Sequence, residues 1–400
     1  MRDHSDPYVV LGAGLAAASA VEGIRRLDSN GSILLIGAEQ EPPYDRPPLP
    51  KQLWSGAKTM EEIFLHPGTF YAEQGVELRL GTNIVALDPV SHTLRDADGA
   101  IYRYKKLLLA TGGTPRRLSI PGGDLDGVSY FRTVQDYKYL RRAADAAQSV
   151  LVVGGGFVGS ELAAALSRRG LRVTMVFPRQ YLGSRVFPES LGRAITAEYR
   201  AKGVEVVAGD RPLAIARHKE GYRTTTQGGR DIVSDLVGVG IGIEPNIQLA
   251  EAAGLKTGNG VVVDQLLRTS DPDIYAAGDV AHFPDRVLGP RRVEHWENAL
   301  SQGKHAGANM AGAGEPFGHI PFFFSDLFEF GYEAVGDTDA RLKISTDWRE
   351  ENKTGVVYYL RDGLVRGAMM CNLFERVDAA RALIQRGERV KPNELRGAIR

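Results

Sequence analysis

Tyr8-Val9-Val10-Leu11-Gly12-Ala13-Gly14-Leu15-Ala16-Ala17 and Val150-Leu151-Val152-Val153-Gly154-Gly155-Gly156-Phe157-Val158-Gly159 follow one pattern. Each is a short apolar run, a glycine-rich turn and the start of an Ala- or Leu-rich stretch. The first stretch reaches about Leu27 and the second about Arg169. A further apolar run follows each, at Ile33 to Ile36 and at Arg172 to Phe177. The pattern predicts strand, turn, helix and strand, twice over, and so two parallel βαβ units in an α/β chain.

A dinucleotide pyrophosphate needs such a turn. The first glycine permits the sharp bend, and the second lets the backbone approach the phosphates. A small third residue lets helix and strand pack closely, and the helix N-terminus offers N–H donors and a positive dipole end. Gly12, Gly14 and Ala17 fill these places with alanine third, and Gly154, Gly156 and Gly159 fill them with glycine throughout. Glu39, just past the Ile33 to Ile36 run, stands where an acid takes ribose hydroxyls. One glycine-rich turn alone also serves plain structure. Two in matching contexts point to two nucleotide sites, and two such sites in one chain suggest electron passage between nucleotides.

Composition bounds the alternatives. The 400 residues predict two or three domains. Lys plus Arg and Asp plus Glu number 49 each, so no basic excess points to nucleic acid. Glycine is abundant, 47 of 400 or about 12%, against ~7% in ordinary proteins. The single cysteine, Cys371, leaves no intrachain disulfide, Cys-x-x-Cys pair or cysteine-ligated cluster, and as a small hydrophobe it belongs in a core. No metal site is expected. The N-terminus lacks a signal-peptide apolar run, and no stretch nears the ~18 apolar residues of a membrane span. The expectation is a cytoplasmic protein, monomer or homodimer.

Outward from the two turns, Tyr102 to Ala110 reads as a strand ending in Ala110-Thr111-Gly112. Ile232 to Ile243 reads as a strand running through Gly240-Ile241-Gly242, and Ile274 to Ala277 as a short strand before Gly278-Asp279. Ser301 to Met310 should be helical. Aromatics crowd Phe322 to Phe330, strand-like runs follow at Thr354 to Leu360 and Leu364 to Met370, and Asp378 to Gln385 reads as a closing helix. That texture predicts a separate C-terminal α+β domain.

These landmarks carry a resemblance. Tyr44-Asp45-Arg46-Pro47-Pro48-Leu49-Pro50-Lys51 resembles the Arg-Pro-Pro-Leu-Ser-Lys stretch of the two-dinucleotide-domain flavoproteins, with Pro50 replacing Ser. Ala110-Thr111-Gly112 is similar to their Ala-Thr-Gly turn. The run from Thr269 to Asp279 resembles their second FAD motif, and Val293-Glu294-His295-Trp296-Glu297-Asn298-Ala299 the flavin-facing segment after it. Phe323-Phe324-Ser325-Asp326 is similar to the Phe-Trp-Ser-Asp of the branch holding ferredoxin reductases, rubredoxin reductase and apoptosis-inducing factor, with Phe324 in place of Trp. The disulfide-using branch needs paired cysteines that this chain lacks.

The resemblance implies a glutathione-reductase-like fold of two Rossmann-like domains plus a C-terminal α+β domain. The boundaries expected are 1–120 and 242–316 for FAD, 121–241 for NAD(P)H, and 317–400. It implies FAD held by Gly12, Gly14, Leu15, Ala16, Ala17, Glu39, Arg46, Lys51, Ile84, Ala110, Thr111, Gly112, Arg132, Gly278, Asp279, Glu294, His295, Trp296 and Phe324. NADH or NADPH would be held by Gly154, Gly156, Phe157, Val158, Gly159, Glu161, Arg179, Arg185, Gly240, Ile241 and Gly242. Lys51 and Glu161 would pair near the flavin N5 edge, Phe157 would cover the flavin until nicotinamide displaces it, and Trp296 would lie beside the flavin toward the acceptor. Arg179 stands where an acid would repel a 2′-phosphate, which favours tolerance of NADPH, although the branch mostly uses NADH. Arg286, Arg291 and Arg292 are candidates for a basic rim facing an acidic iron–sulfur carrier, or else ordinary solvated charges. The leading expectation is an FAD-dependent NAD(P)H oxidoreductase serving a ferredoxin- or rubredoxin-type carrier. The alternatives are an NAD(P)H oxidase or quinone reductase, or a redox-sensing NADH-binding protein.

Overall fold

The computed structural model describes residues 3–400, with side chains from Pro7 onward. It divides into two compact units, residues 1–45, 60–114 and 244–321 in one, and 46–59, 115–243 and 322–400 in the other.

In the first unit, Asp3–Leu11 pairs in parallel with Ile33–Ile36 on one side and Ile101–Leu109 on the other. Ile33, Leu34, Leu35 and Ile36 are all buried, as strands covered on both faces require. The Ile274–Ala276 strand adds to the edge of Ile101–Leu109, in parallel. The first glycine turn opens the helix Leu15–Arg25, which ends two residues before the expected Leu27. A helix at Trp296–Met310 crosses it. A Cβ on Gly303 would sit 2.3 Å from the Ala16 carbonyl oxygen, and one on Gly307 2.1 Å from that of Ala20. Glycine and alanine therefore let the two backbones meet. This helix begins five residues before the expected Ser301, because its first turn is tied down: Asn298 Nδ2 donates to the Val293 carbonyl and Trp296 Nε1 to Asp45.

In the second unit, a five-stranded parallel sheet runs Glu205–Ala208, Arg172–Phe177, Ser149–Val153, Leu236–Val239, Val128–Tyr130. The second glycine turn opens the helix Phe157–Arg168. A five-stranded antiparallel sheet follows in the order Phe322–Leu327, Phe330–Gly336, Leu364–Cys371, Thr354–Arg361, Lys343–Glu350. The helix Val377–Arg386 closes the C-terminal α+β element. Cys371 is fully buried there, and burial pushes its thiol pKa up.

One expected strand is corrected. Residues 232–243 do not form a single strand. Asp231–Ser234 belongs to a three-stranded antiparallel sheet and Leu236–Val239 to the parallel one. Asp235 breaks the run, because its carboxylate accepts from Gln148 N, Ser149 N and Ser149 Oγ. Among the described residues no helix is long and apolar enough to cross a membrane.

Candidate functional site

The two glycine turns are built alike. Gly12 N donates to the Ile36 carbonyl at 2.7 Å, and Ala110 N to the Leu11 carbonyl at 2.8 Å. Gly154 N donates to the Val176 carbonyl at 2.9 Å, and Gly240 N to the Val153 carbonyl at 2.9 Å. Gly12 has φ +130° and Gly154 φ +123°, and a Cβ on either would stand 2.2 Å from a carbonyl oxygen, of Ala110 or Gly240. Glycine is therefore obligatory at both for reasons internal to the chain. At Gly159 a Cβ would meet the Gly154 carbonyl at 2.3 Å, so close packing of helix on turn demands glycine there too. Ala17, in the matching place, is fully buried.

Gly14 and Gly156 differ from these. Each has an ordinary negative φ, and beyond its chain neighbours no atom of the described residues lies within 4 Å of a Cβ placed on either. Packing among the described residues does not require glycine at these two positions. A group drawn up against the backbone at the helix start would require it, and a pyrophosphate fits that cradle.

Around the first turn, Glu39 accepts from the Tyr44 hydroxyl at 2.5 Å. Leu15 opens the helix, Ala16 is buried behind it, and Ile84 begins the strand Ile84–Asp88 half-buried. Thr111 Oγ1 donates to the Asn246 carbonyl while Asn246 Nδ2 returns to the Thr111 carbonyl, and Asn246 N donates to Gly112. Gly278 N donates to the fully buried Gln302 at 2.9 Å, which places half-buried Asp279 in a short 3-10 turn. His295 caps the helix that starts at Trp296. Burial holds the His295 imidazole at a pKa of about 4, against the pull of Asp279 and Glu297, so it is neutral at pH 7. Trp296 Nε1 donates to Asp45 Oδ1 at 2.6 Å.

The expected basic rim is corrected in part. Arg286 is exposed, but the Arg292 side chain is only 8% exposed. It turns inward to Glu294 at 2.7 Å and to the Asp279 carbonyl at 2.9 Å. Arg291 reaches the Leu288 carbonyl. Arg292 thus clamps the segment around Asp279 instead of facing solvent.

In the second unit, Lys51 Nζ lies 3.2 Å from Glu161 Oε1, and both side chains are about nine-tenths buried. Ser325, a polar residue within the aromatic run Phe322 to Phe330, was not among the expected site residues. Its hydroxyl donates to the same Glu161 oxygen at 2.6 Å. Burial pushes the Glu161 carboxyl pKa up, and Lys51 and the Ser325 hydrogen bond pull against it. Lys51 also sits over the Phe324 ring, 5.1 Å from its centre. Phe157, at the first helical position, is exposed and meets Phe323 at 5.3 Å between ring centres. Arg46 donates to the Arg132 carbonyl at 3.0 Å. Val158 and Ile241 pack beside Gly240 and Gly154, Gly242 accepts from Arg116 N at 2.9 Å, and Arg179 and Arg185 are exposed past the Arg172–Phe177 strand. Among the described residues no group of three or more His, Cys, Asp or Glu side chains stands together as a metal site would require.

Comparison with known proteins adds four findings. Residues 6–303 match the model of a family described as pyridine nucleotide-disulphide oxidoreductase. The chain is 35% identical to the anthranilate 1,2-dioxygenase system ferredoxin–NAD(+) reductase component of Burkholderia cepacia, covering 98% of this chain and 97% of that protein. It is 36% identical to a rubredoxin–NAD(+) reductase of Pseudomonas putida, over 82% of this chain and 86% of that one. Its fold matches the crystal structure of the covalent putidaredoxin reductase–putidaredoxin complex with a TM-score of 0.91 at 30% identity, over 98% of this chain and 95% of the other.

Proposed function

Because the chain belongs to the pyridine nucleotide-disulphide oxidoreductase family, we propose that it is an FAD-dependent NAD(P)H oxidoreductase delivering electrons to a small iron–sulfur carrier of ferredoxin or rubredoxin type. The observation that carries the proposal is the pair of open glycines, Gly14 and Gly156, each at the start of a helix whose own packing gives no reason for glycine. One accounts for FAD in the first unit and the other for the nicotinamide nucleotide in the second. The lone cysteine excludes an intrachain redox disulfide, so electrons leave without a thiol relay. The names of the relatives support the class of acceptor.

FAD, when bound, supplies the hydride-accepting N5 and the means to part with electrons singly. The chain supplies position and charge. The turns at Gly12 and Gly154 would present the helix N-termini to the two pyrophosphates. Glu39 would accept from ribose hydroxyls, and Arg46 and Arg132 would offset phosphate charge. Lys51 and Glu161, a fixed and desolvated ion pair, would meet the nicotinamide nucleotide in their own unit, and Phe157 would have to yield its place to the nicotinamide. His295 stays neutral and so adds no charge beside the ring, while Asp45 fixes the edge of Trp296. Arg179 and Arg185, exposed past the Arg172–Phe177 strand, make NADPH an acceptable donor beside NADH. The domain limits expected from sequence and a cytoplasmic setting belong to this same reading.

The test is an anaerobic spectral titration with NADH and NADPH in parallel. Flavin bands that bleach at one equivalent, followed by prompt reoxidation with ferredoxin or rubredoxin, support the proposal. Turnover with quinone or oxygen alone would replace the carrier by a diffusible acceptor. A persistent long-wavelength band without turnover would make the protein a sensor, and a colourless protein that cannot take up FAD overturns the proposal.

A further inference from the structure

We infer that Ser325 is a positioning residue: its hydroxyl holds the Glu161 carboxylate on Lys51 and so sets the acid limit of the reaction. The inference rests on the function proposed above. Phe322–Leu327 is a strand with regular alternation, and Phe323, Ser325 and Leu327 face inward at 9%, 1% and 3% exposure. Phe324, pointing the other way, is 40% exposed. An apolar residue would suit the middle inner position, because a buried hydroxyl without a partner costs stability. The hydroxyl there has a partner from an element 164 residues earlier in the chain, the Glu161 carboxylate at 2.6 Å. A bond of that length from O–H to an ionised oxygen is of the strong, charge-assisted kind.

The same Oε1 takes Lys51 at 3.2 Å. Two donors on one oxygen fix the carboxylate in place and favour its charged form against burial. The other groups that face Glu161 give no such help. Asp326, next on the strand, opposes its charge. Tyr332, the cross-strand partner of Ser325, is fully buried, and Tyr199 spends its hydroxyl on the Ser160 carbonyl at 2.9 Å. Burial favours the neutral carboxyl, and Lys51 and Ser325 are the named groups that resist it. Removing the hydroxyl leaves Lys51 alone in that role, and once Glu161 is neutral Lys51 has lost its partner.

The experiment uses the flavin-loaded full chain with Ser325→Ala and Ser325→Thr. Stopped-flow reduction by NADH is followed against pH. The Glu161 carboxyl is titrated in the same proteins by carbon-13 NMR with labelled glutamate. We expect Ser325→Ala to move the acid limb of the rate, and the carboxyl midpoint with it, upward by about one to two pH units. The rate on the acid limb then falls by about tenfold or more while the limiting rate at high pH is kept, and Ser325→Thr restores both the limb and the carboxyl midpoint. An unmoved carboxyl midpoint overturns the inference. So does an equal loss of rate at every pH, or a loss that threonine does not rescue. The NMR titration reports on Ser325 even if NADH turns out not to reduce the protein, so the two proposals fail separately.

Discussion

Asp235 and Ser149, 86 residues apart in the chain, are joined by three hydrogen bonds. Ser149 N and Oγ donate to the Asp235 carboxylate at 2.8 and 2.9 Å, and Asp235 N donates to Ser149 Oγ at 3.1 Å. This clasp stops the Asp231–Ser234 strand and starts Leu236–Val239 beside Ser149–Val153. Burial raises the Asp235 carboxyl pKa, but the bonds from Gln148 and Ser149 outweigh it and hold the pKa below the usual value. A depressed carboxyl contributes stability above its unfolded pKa and loses it as pH falls through the folded one. Asp235→Ala should therefore cost about 0.5–1 kcal/mol at neutral pH, because water screens this exposed carboxylate. The gap to the wild type should close in acid, below about pH 4, as read by urea unfolding across pH.

The open and closed glycines predict opposite phenotypes. Gly14→Ala and Gly156→Ala meet no atom of the described residues within 4 Å, so unfolding free energies of the nucleotide-free proteins should stay within about 0.5 kcal/mol of the wild type. Gly14→Ala should lose flavin on a desalting column. Gly156→Ala should keep flavin but raise KM for NAD(P)H by about tenfold or more. Gly12→Ala and Gly154→Ala drive a methyl onto a carbonyl oxygen at 2.2 Å in a left-handed backbone, and each should cost about 3 kcal/mol or more. Equal behaviour of the two classes would remove the argument for a phosphate cradle.

Lys51→Ala leaves the buried Glu161 carboxylate to Ser325 alone. Breaking a buried pair by removing one partner costs about 3–5 kcal/mol. Its sign with pH is fixed by the raised Glu161 carboxyl. Such a group gives its full stability below the unfolded pKa and loses it as pH rises through the folded one. The variant, with that pKa raised further, should fall behind the wild type progressively as pH rises above the ordinary carboxylate range of about 4. Melting temperature against pH shows this directly. A constant offset would mean that only packing was lost.

Nucleotide preference turns on Arg179. Arg179→Glu places a carboxylate where a 2′-phosphate would lie. The ratio of kcat/KM for NADPH over NADH should fall by about tenfold to a hundredfold, the worth of a charge-assisted hydrogen bond. Steady-state rates with a saturating artificial acceptor give the ratio without knowledge of the physiological one. No change would mean that the exposed arginine never reaches the nucleotide.

What the chain alone determined is local in character. A glycine turn, its strand and its helix lie within about twenty residues, so spacing reveals them, and both βαβ units and the C-terminal strands were legible. The lone cysteine likewise settled which redox chemistry is absent without any knowledge of the fold. What only the tertiary structure decided depends on which groups the folded chain brings together. Asp235 ends a strand because Ser149 is beside it, and a run of Ile and Val with one Asp reads as continuous without that neighbour. Arg292 looks like surface charge until Glu294 and the Asp279 carbonyl are seen to hold it inward. Gly303 and Gly307 look like weak points in a helix until Ala16 and Ala20 arrive against them. Ser325 reads as one polar letter in an aromatic run, and its bond to Glu161 exists only because the C-terminal sheet folds back 164 residues to reach the second glycine helix. Periodicity records which face of an element is buried. Which donor meets which acceptor is settled by desolvation and geometry between elements, and there a hydroxyl, a carboxylate and an ammonium acquire their roles.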